Sequence, residues 1–578
     1  MENDRTIPIA LCRMPPPGPN AARTVSYPSV LGDALRHYGL PYVPVDPTEL
    51  PAVLPGLKVL LTVGDGNLTE ASRTAIREWV RSGGEWIAVA GTCGLAAVLG
   101  VEVEGPAFAS WGGGVGTLGE GSTRPTVQDV RTAHVGAGLH HFNGLPVRAE
   151  PGTAVLAEAF DAHGRPTKRA AMTEAAFGAG HGVLIAADLP GALVRIRQGI
   201  GITRDGVPAP DGTAPICDEV LKSGDGFVLD WDFDRQDVPG AAGFRAFLEP
   251  QADQWAELLV RAILQACGRR HVLLPMLWLY PRNLPAIAAL SHDTDNNNPD
   301  LARTMLDVLA ELDIRSTWCV ILPGYPADVI EAVRVAGHEL AMHFDAMSDG
   351  LEWSAAQFDR QYRELTRLLG ERPVTNKNHY LRWEGDIELF EWCADHGIRL
   401  DQSKGASKTG EAGYNFGTCH PYLPVRRNGS TLPVYELATP TQDLIVFAPP
   451  RLADSLTEAV LKAHGVLHLL FHPAHIATAG VADALRDAVR RAKERGMEWW
   501  TAREIADWED ARRGVRWERF SQDSATSARV EAAARRDLDE AVVLWPDPHG
   551  EIARFGFRFT GTPLSVRGNE REVLEVRL

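Results

Sequence analysis

The sequence predicts an α/β protein with two successive α/β regions and a small β region at the C-terminus. Apolar runs of strand length alternate with amphipathic helical patterns up to about residue 270, and the same alternation resumes up to about residue 515. From residue 541 onward, only short alternating runs separated by turn residues occur. We therefore expect three domains, over residues 1–270, 271–520 and 521–578.

The first region contains a βαβ pattern. LKVLLTVG (57–64) predicts a strand, and EWIAVAG (85–91) predicts the next one. Between them, Thr69 can cap a helix on which Ile76 and Val80 share an apolar face. Because such units join parallel strands, the region is expected to form a doubly wound parallel sheet.

The second region repeats strand and helix signals in a way that favours a (β/α) barrel or a distorted version of one. Three helix starts are recognisable from their capping residues: Asn298 with Pro299, Ser354 with Gln357, and Thr501 with Glu504. In such a barrel, the carboxyl ends of the strands face a common mouth, so polar residues distant in sequence can converge there.

Composition excludes several classes of function. The net charge of −17 and pI of about 5.5 argue against a nucleic-acid binder or a protein of anionic membrane surfaces. No apolar run is long enough to span a bilayer, and the N-terminus lacks a basic segment followed by an apolar one. The seven cysteines are scattered and form no CxxC pair, which favours reduced thiols and a cytoplasmic location.

Four predicted strand ends are rich in side chains that can bind metal or transfer protons. They are SHDTD (291–295), GHELAMHFD (337–345), NKNHYLRW (376–383) and LLFHPAH (469–475). Each alone is at least as typical of a polar turn or of an ordinary core or surface histidine as of a site. Their occurrence together in one predicted barrel indicates a site.

The spacing of Asp293 and Asp295 suggests a division of roles between them. Residues two apart on an extended segment lie on the same side. One carboxylate can bind a cation while the other acts as general base on a water activated by that cation. One aspartate with two histidines is a common open coordination set for a divalent ion.

Residues from about 285 to 510 resemble the polysaccharide deacetylase domain (NodB homology, carbohydrate esterase family 4), especially its branch with an Asp-x-Asp first motif. SHDTD is similar to the HDVD motif of that branch, GHELAMHFD to GHEIGLHGS, NKNHYLRW to a QHYLRF motif, and GTCHPYLP (417–424) to a GTCFPF stretch. WWTAREIADWEDARR (499–513) resembles the way these domains end.

The resemblance implies a role for individual positions. Asp293 would be the general base, Asp295 and His343 metal ligands, and His472 the general acid that protonates the leaving amine. Met347 stands where many family members carry the second histidine of HxxxH, so we infer that His379 supplies the missing imidazole.

Further positions would support this chemistry around one divalent ion, with zinc as the default. The backbone N–H of Tyr380 is a candidate oxyanion donor. Either Arg382 or Lys377 could pair with Asp293, and His475 could be an alternative acid or lie just behind the site.

The N-terminal region resembles the glutamine-amidotransferase-like fold of the trimerisation domain of certain β-galactosidases. The resemblance rests on residues 63–91 and 181–199. Cys93 lies in a remnant of a nucleophile turn, but Leu95 replaces the second glycine and no His-x-Glu partner is visible. The resemblance implies a scaffold, homo-oligomerisation or substrate gating rather than amidotransferase activity.

The leading functional hypothesis is a metal-dependent hydrolase that removes an acyl group, N-acetyl first of all, from an amino sugar or glycoconjugate. We expect a carbohydrate or small acylated substrate and neither nucleic acid nor membrane as partner. Two alternatives remain open. One is a metal-independent amide or ureide hydrolase of the same fold, which Met347 supports because it stands in place of a histidine ligand. The other is a carbohydrate-binding or assembly protein without activity.

Overall fold

A computed structural model describes residues 7–12, 27–66, 68–105, 126–127, 138–160, 166–206, 220–348 and 350–578. Contacts divide the chain into two compact units. Unit 1 comprises Met1–Val194, Gln254–Asn283 and Asp510–Leu578, and unit 2 comprises Arg195–Asp253 and Leu284–Glu509. Residues 195–253 thus group with the predicted barrel. The division into three domains stays a prediction.

The helices are, in chain order, α1 (Val30–His37), α2 (Leu50–Val53), α3 (Glu70–Arg81), α4 (Leu189–Gln198), α5 (Gln251–Arg269), α6 (Pro299–Leu312), α7 (Ala327–Val335), α8 (Ala355–Leu369), α9 (Glu388–His396), α10 (Arg451–Ala463), α11 (Val481–Glu494) and α12 (Ala502–Arg513). Over the described residues, none of them combines the length and the apolar character needed to cross a bilayer.

The strands up to residue 320 are β1 (Ile9–Cys12), β2 (Val43–Val45), β3 (Val59–Val63), β4 (Glu85–Val89), β5 (Val101–Val103), β6 (Thr126–Val127), β7 (Val147–Ala149), β8 (Ala154–Phe160), β9 (Pro166–Phe177), β10 (Gly180–Ile185), β11 (Arg235–Asp237), β12 (Arg245–Phe247), β13 (Met276–Leu277), β14 (Ile287–Asp293) and β15 (Thr317–Val320). The remaining strands are β16 (Glu339–Phe344), β17 (Thr375–Asn378), β18 (Leu400–Asp401), β19 (Tyr435–Glu436), β20 (Val466–Leu470), β21 (Glu498–Trp500), β22 (Arg516–Ser524), β23 (Ser527–Ala533), β24 (Leu538–Pro546), β25 (Ile552–Arg554), β26 (Phe557–Val566) and β27 (Arg571–Arg577).

Unit 1 contains a mixed sheet with the strand order β2-β1-β3-β4-β10-β9-β8-β6. The strands from β2 to β10 run parallel, as the βαβ pattern predicts, whereas β9, β8 and β6 continue the sheet in antiparallel fashion. Helix α3 begins where expected, with the Thr69 side chain accepting a hydrogen bond from the backbone N–H of Ser72. Ile76 and Val80 of this helix are fully buried, so its apolar face packs into the core.

The C-terminal stretch of unit 1, from Arg516 to Arg577, consists of strands joined by turns and short loops. Strands β22, β23 and β27 form one antiparallel sheet, and β24, β26 and β25 form another together with β13. This agrees with the β-rich character predicted for the end of the chain, although the first of these strands begins before residue 521.

Unit 2 is built on a parallel sheet with the order β19-β18-β17-β16-β15-β14-β20, and β21 pairs with β14 beside β15. Its end strands, β19 and β20, are not paired with each other in the described part of the chain, so the sheet is an open version of the predicted barrel. Asn298 accepts hydrogen bonds from the N–H groups of Asp300 and Leu301 and so begins α6 as its capping signal predicts.

The core of unit 2 lies between this sheet and its helices. Trp318, Trp383 and Phe358 are fully buried in it. Burial of one such side chain contributes roughly 2–3 kcal/mol to folding. The other side of the sheet carries polar residues, and these form the site described next.

Candidate metal centre and active site

Strand β14 carries Ser291 and Asp293 on the same side because they are two residues apart. The ammonium group of Lys377, on β17, donates a hydrogen bond of 2.5 Å to Ser291 Oγ and lies 3.5 Å from Asp293 Oδ1. Two strands separate β14 from β17. Their side chains can meet only if the sheet curves, so these residues line its concave side.

Of the three predicted metal ligands, the two histidines both approach one carboxylate oxygen of the aspartate. Oδ1 of Asp295 lies 3.2 Å from Nε2 of His343 and 3.8 Å from Nε2 of His379. His343 is at the end of β16, and His379 follows β17, so each comes from a strand end as the sequence predicts. The His343 side chain is fully buried, while that of Asp295 keeps 27% of its surface exposed toward solvent.

The other nitrogen of each imidazole is held by an acceptor. Nδ1 of His343 donates to the carbonyl oxygen of Lys377 at 2.9 Å, and Nδ1 of His379 donates to Oδ1 of Asp345 at 3.0 Å. In the neutral rings, Nε2 therefore carries the lone pair. This is the arrangement that orients metal-binding histidines.

Each Nε2 lone pair faces Oδ1 of Asp295, and a lone pair and a carboxylate oxygen repel each other unless a positive charge lies between them. A divalent ion bound by Asp295, His343 and His379 satisfies all three and matches the ligand types of an open site. In type, the residues present thus fit the metal that the sequence predicts; in distance, the three donor atoms do not all lie within 4.8 Å of one another. A proton on either ring would satisfy part of the same arrangement.

The charges of this cluster shift its acid–base equilibria. Burial by itself would raise the pKa of Asp295, but the hydrogen bond and charge of His343, together with His472 and His379, hold that pKa well below its usual range. Burial would lower the pKa of His343, yet Asp293 and Asp295 outweigh it and raise the pKa. Both shifts follow from the placement of imidazoles and carboxylates beside one another.

Hydrogen bonds to other residues hold Asp345 in place beside His379. Its backbone N–H donates to Gln361 at 2.9 Å, and its carboxylate accepts hydrogen bonds from the N–H of Met347 at 2.8 Å and the hydroxyl of Ser348. Burial would raise the pKa of Asp345, but the hydrogen bonds from His379, Ser348 and Met347 keep it well below the usual range. Asp345 is therefore a charged, rigid partner for the imidazole.

Asp293 lies beside this cluster, with its Oδ2 3.9 Å from Nε2 of both His343 and His472. Of the two cations predicted as its partner, Lys377 takes the position. Arg382 instead donates to the carbonyl oxygen of Ala346 and to Glu384. Asp293 Oδ1 is buried and makes no hydrogen bond with the described residues.

His472 follows β20, the neighbour of β14 on the side away from β15, and lies close to Asp293 and Asp295. Its Nε2 lies 3.7 Å from Oδ2 of Asp295, and its Nδ1 makes a short hydrogen bond to Oδ2 of Asp443. Burial would lower the pKa of His472, but the hydrogen bond and charge of Asp443, with the charges of Asp293 and Asp295, raise it to about 9. A histidine so placed holds its proton to higher pH than an ordinary histidine, and its Nε2 faces the two aspartates.

Tyr380 lies at the exposed edge of the site, with 56% of its surface accessible. Its backbone is left-handed, with φ of 61° and ψ of 13°. A non-glycine residue adopts this conformation at a cost of roughly 1 kcal/mol, and such conformations are frequent in functional loops. Its ring lies 5.0 Å from that of His379.

Two carboxylates of this site were not predicted from the sequence. Asp345 ends GHELAMHFD and stands two positions after His343. This two-residue spacing at one strand end could have identified Asp345 as a residue of the site. Asp443 stands in TQDLIVFAP, a loop with no periodic or metal-binding pattern. Only the fold brings it beside His472, so no local signal could have identified it.

Another group of metal-binding residue types lies elsewhere in unit 2: Asp253, Cys419 and His420, all buried. The carboxylate of Asp253 already accepts hydrogen bonds from Arg197, Thr418 and the backbone of Cys419. Burial raises the pKa of the Cys419 thiol well above its usual value, followed by the charge of Asp253. This agrees with a packed residue rather than a nucleophile.

No protein-family model matches the chain. No curated protein matches it either. Among solved structures, it is similar to a chain assigned as a polysaccharide deacetylase from Mycobacterium smegmatis, at 19% identity and a TM-score of 0.31, over 39% of this chain and 91% of that one. It is also similar to a family 4 acetyl xylan esterase from Clostridium thermocellum solved with a cobalt ion, at 15% identity and a TM-score of 0.24, over 38% and 89% of the two chains.

A further match is the β-galactosidase from Bacillus circulans sp. alkalophilus, at 16% identity and a TM-score of 0.24, covering 32% of this chain and 30% of that enzyme. The matched part is less than a third of that enzyme's length.

Proposed function

We propose that the protein is a metal-dependent hydrolase that removes an acyl group, most simply N-acetyl, from an amino sugar or glycoconjugate. One observation carries this proposal: His343 and His379 direct their Nε2 atoms at the same oxygen of Asp295 while a backbone carbonyl and Asp345 hold their Nδ1 atoms. Such an arrangement is typical of a centre that binds a divalent ion, with zinc the first choice for one carboxylate and two imidazoles.

A divalent ion at this centre would polarise the acyl carbonyl and lower the pKa of water beside it. The chain itself would move the protons. Asp293, paired with Lys377, accepts the proton of the attacking water. His472, protonated in neutral solution, gives a proton to the nitrogen as the acyl–nitrogen bond breaks.

The oxyanion that forms at the acyl carbon needs a donor. We assign this role to the backbone N–H of Tyr380, on the exposed edge beside His379. The exposed ring of Tyr380 gives a sugar a flat surface to lie on. The substrate class is therefore a carbohydrate or a small acylated compound, and we assign the protein to the cytoplasm, where the six described cysteines, all free, would stay reduced.

The direct test is a panel of N-acetylated amino sugars and acetylated glycoconjugates incubated with zinc-loaded protein, with loss of acetyl read by mass spectrometry. We expect turnover of at least one member, lost by 10²-fold or more in Asp293→Asn. The variant Asp359→Asn, which changes a half-buried carboxylate paired with His396, is the matched control and should turn over normally. A panel without any turnover in the metal-loaded protein would reject the proposal.

A second candidate is a metal-independent amide or ureide hydrolase. It is favoured by the 3.2 Å hydrogen bond between Nε2 of His343 and Asp295, which a proton alone can make, and by Met347 in place of a second histidine. The two candidates differ in one measurement. Activity that survives full removal of metal by a chelator, on amide or ureide substrates, selects the second.

A further inference from the structure

We propose that the chain has a second divalent-cation site, formed by Asp443, His472 and His475, and that zinc bound there inhibits the enzyme by capturing its general acid. Binding at this site is independent of the function proposed above, whereas the inhibition rests on it.

The three residues offer one donor atom each within 4.8 Å of one another. Oδ2 of Asp443 is in contact with Nδ1 of His472 and lies 3.0 Å from Nδ1 of His475. Ligand atoms of a tetrahedral zinc ion lie roughly 3.3–3.6 Å apart when the bonds are about 2.0–2.2 Å long. Small side-chain movements therefore suffice to admit an ion.

Nδ1 of His475 is the least satisfied of these atoms. It is buried and makes no hydrogen bond with the described residues, although it lies close to the carboxylate. A buried nitrogen beside a carboxylate and a second imidazole is matched by a cation better than by solvent. The His475 side chain as a whole is 40% exposed, so an ion can reach the site from the surface.

Zinc at this position would replace the proton on Nδ1 of His472. That nitrogen makes the short hydrogen bond to Asp443. With the metal on Nδ1, this hydrogen bond is lost, and the ion rather than Asp443 holds the ring that is assigned as the general acid. The first centre, at Asp295, His343 and His379, shares no donor atom with this site, so the two ions can bind together.

The site differs from the buried group around Asp253. There the carboxylate is already occupied by Arg197 and Thr418, and each member is buried. In the second site proposed here, one ligand is partly exposed, and among the described residues the carboxylate contacts only imidazoles and the His472 backbone. The Asp253 group therefore serves as the comparison in the test.

The experiment measures bound zinc directly, by equilibrium dialysis of chelator-treated full-length protein followed by elemental analysis. We expect two equivalents per chain, the second weaker than the first, and release of protons as the second binds. His475→Gln should bind one equivalent. His475→Asp, which restores a ligand, should bind two, and Cys419→Ser, a change in the Asp253 group, should also bind two.

Three results would overturn the proposal: one equivalent in the unchanged protein, two equivalents in His475→Gln, or loss of the second equivalent in Cys419→Ser alone. Circular dichroism of each variant shows whether it is folded. If the first experiment identifies a substrate, excess zinc should inhibit turnover in the unchanged protein, and the inhibiting concentration should rise at least tenfold in His475→Gln. A failure to find any substrate leaves the zinc stoichiometry as a complete test.

Discussion

The carboxylate of Asp345 accepts a 3.0 Å hydrogen bond from Nδ1 of His379. This contact fixes the tautomer of the imidazole and leaves Nε2 directed at Asp295, 3.8 Å away. In the proposed metal centre, Asp345 would thereby orient His379 as the ligand that replaces a second histidine of HxxxH, where this chain has Met347.

Asp345→Asn should weaken binding of the first zinc ion by 10–100-fold, because the partner that orients and polarises His379 loses its charge. Competition with a chromophoric chelator measures this affinity. Asp359→Asn removes the charge from another aspartate–histidine contact of 3.0 Å, remote from the site, and should leave zinc affinity unchanged. Equal affinity in Asp345→Asn and the unchanged protein would contradict the assigned role.

Asp443→Asn should lower the pKa of His472 from about 9 toward its ordinary value, since Asp443 is the strongest of the groups that raise it. The general acid would then lose its proton at lower pH, so the basic limb of the rate profile should move down in pH and kcat should fall by roughly 10²-fold or more. Proton NMR of the His472 ring follows the pKa directly. A ring that titrates at the same pH in both proteins would refute the contact's role.

The sequence predicted a barrel or a distorted version of one, and the structure has an open parallel sheet over the described residues. The sequence also predicted that Asp293, Asp295, His343, His379 and His472 come together, because each stands at or just after a strand end and parallel strand ends meet at one edge. It did not distinguish Lys377 from Arg382 as partner of Asp293, since that choice depends on how strongly the sheet curves. Asp443 could not be predicted because it lies in a loop without a periodic or metal-binding sequence pattern. The antiparallel strands β8 and β9 were also missed, since their neighbours in the sheet are set by tertiary contacts.

The metal-free protein should lose stability as pH rises from about 6.5 to about 9. The pKa of His472 is raised on folding, so its contribution is complete below the pKa of the unfolded chain, near 6.5, and disappears as pH passes the folded value of about 9. The loss is on the order of 2–3 kcal/mol for a shift of this size. Thermal unfolding in chelator at several pH values measures it.

His472→Gln supplies the comparison for this experiment. Its unfolding temperature should vary less across the same pH range because the titrating group is gone. The account would be wrong if the unchanged protein and His472→Gln showed the same pH dependence between pH 6.5 and 9.

Asp293→Asn should abolish turnover while leaving zinc binding within about threefold of the unchanged protein. Asp293 is assigned to accept a proton and is not one of the proposed metal ligands. Its carboxylate lies beside the Lys377 ammonium group. Elemental analysis and a turnover assay on the same sample separate the two effects. Loss of zinc together with turnover would contradict the assigned role and indicate that Asp293 is itself a metal ligand.

The most direct test of the account is the tight zinc content of the chain and of His379→Ala after dialysis at low zinc concentration, with His396→Ala as the matched histidine control. We predict one tightly held equivalent in the unchanged protein and in His396→Ala, and at least 100-fold weaker binding in His379→Ala. Tight zinc that persists undiminished in His379→Ala, or no tight zinc in the unchanged protein, would contradict the metal centre on which the proposed function depends.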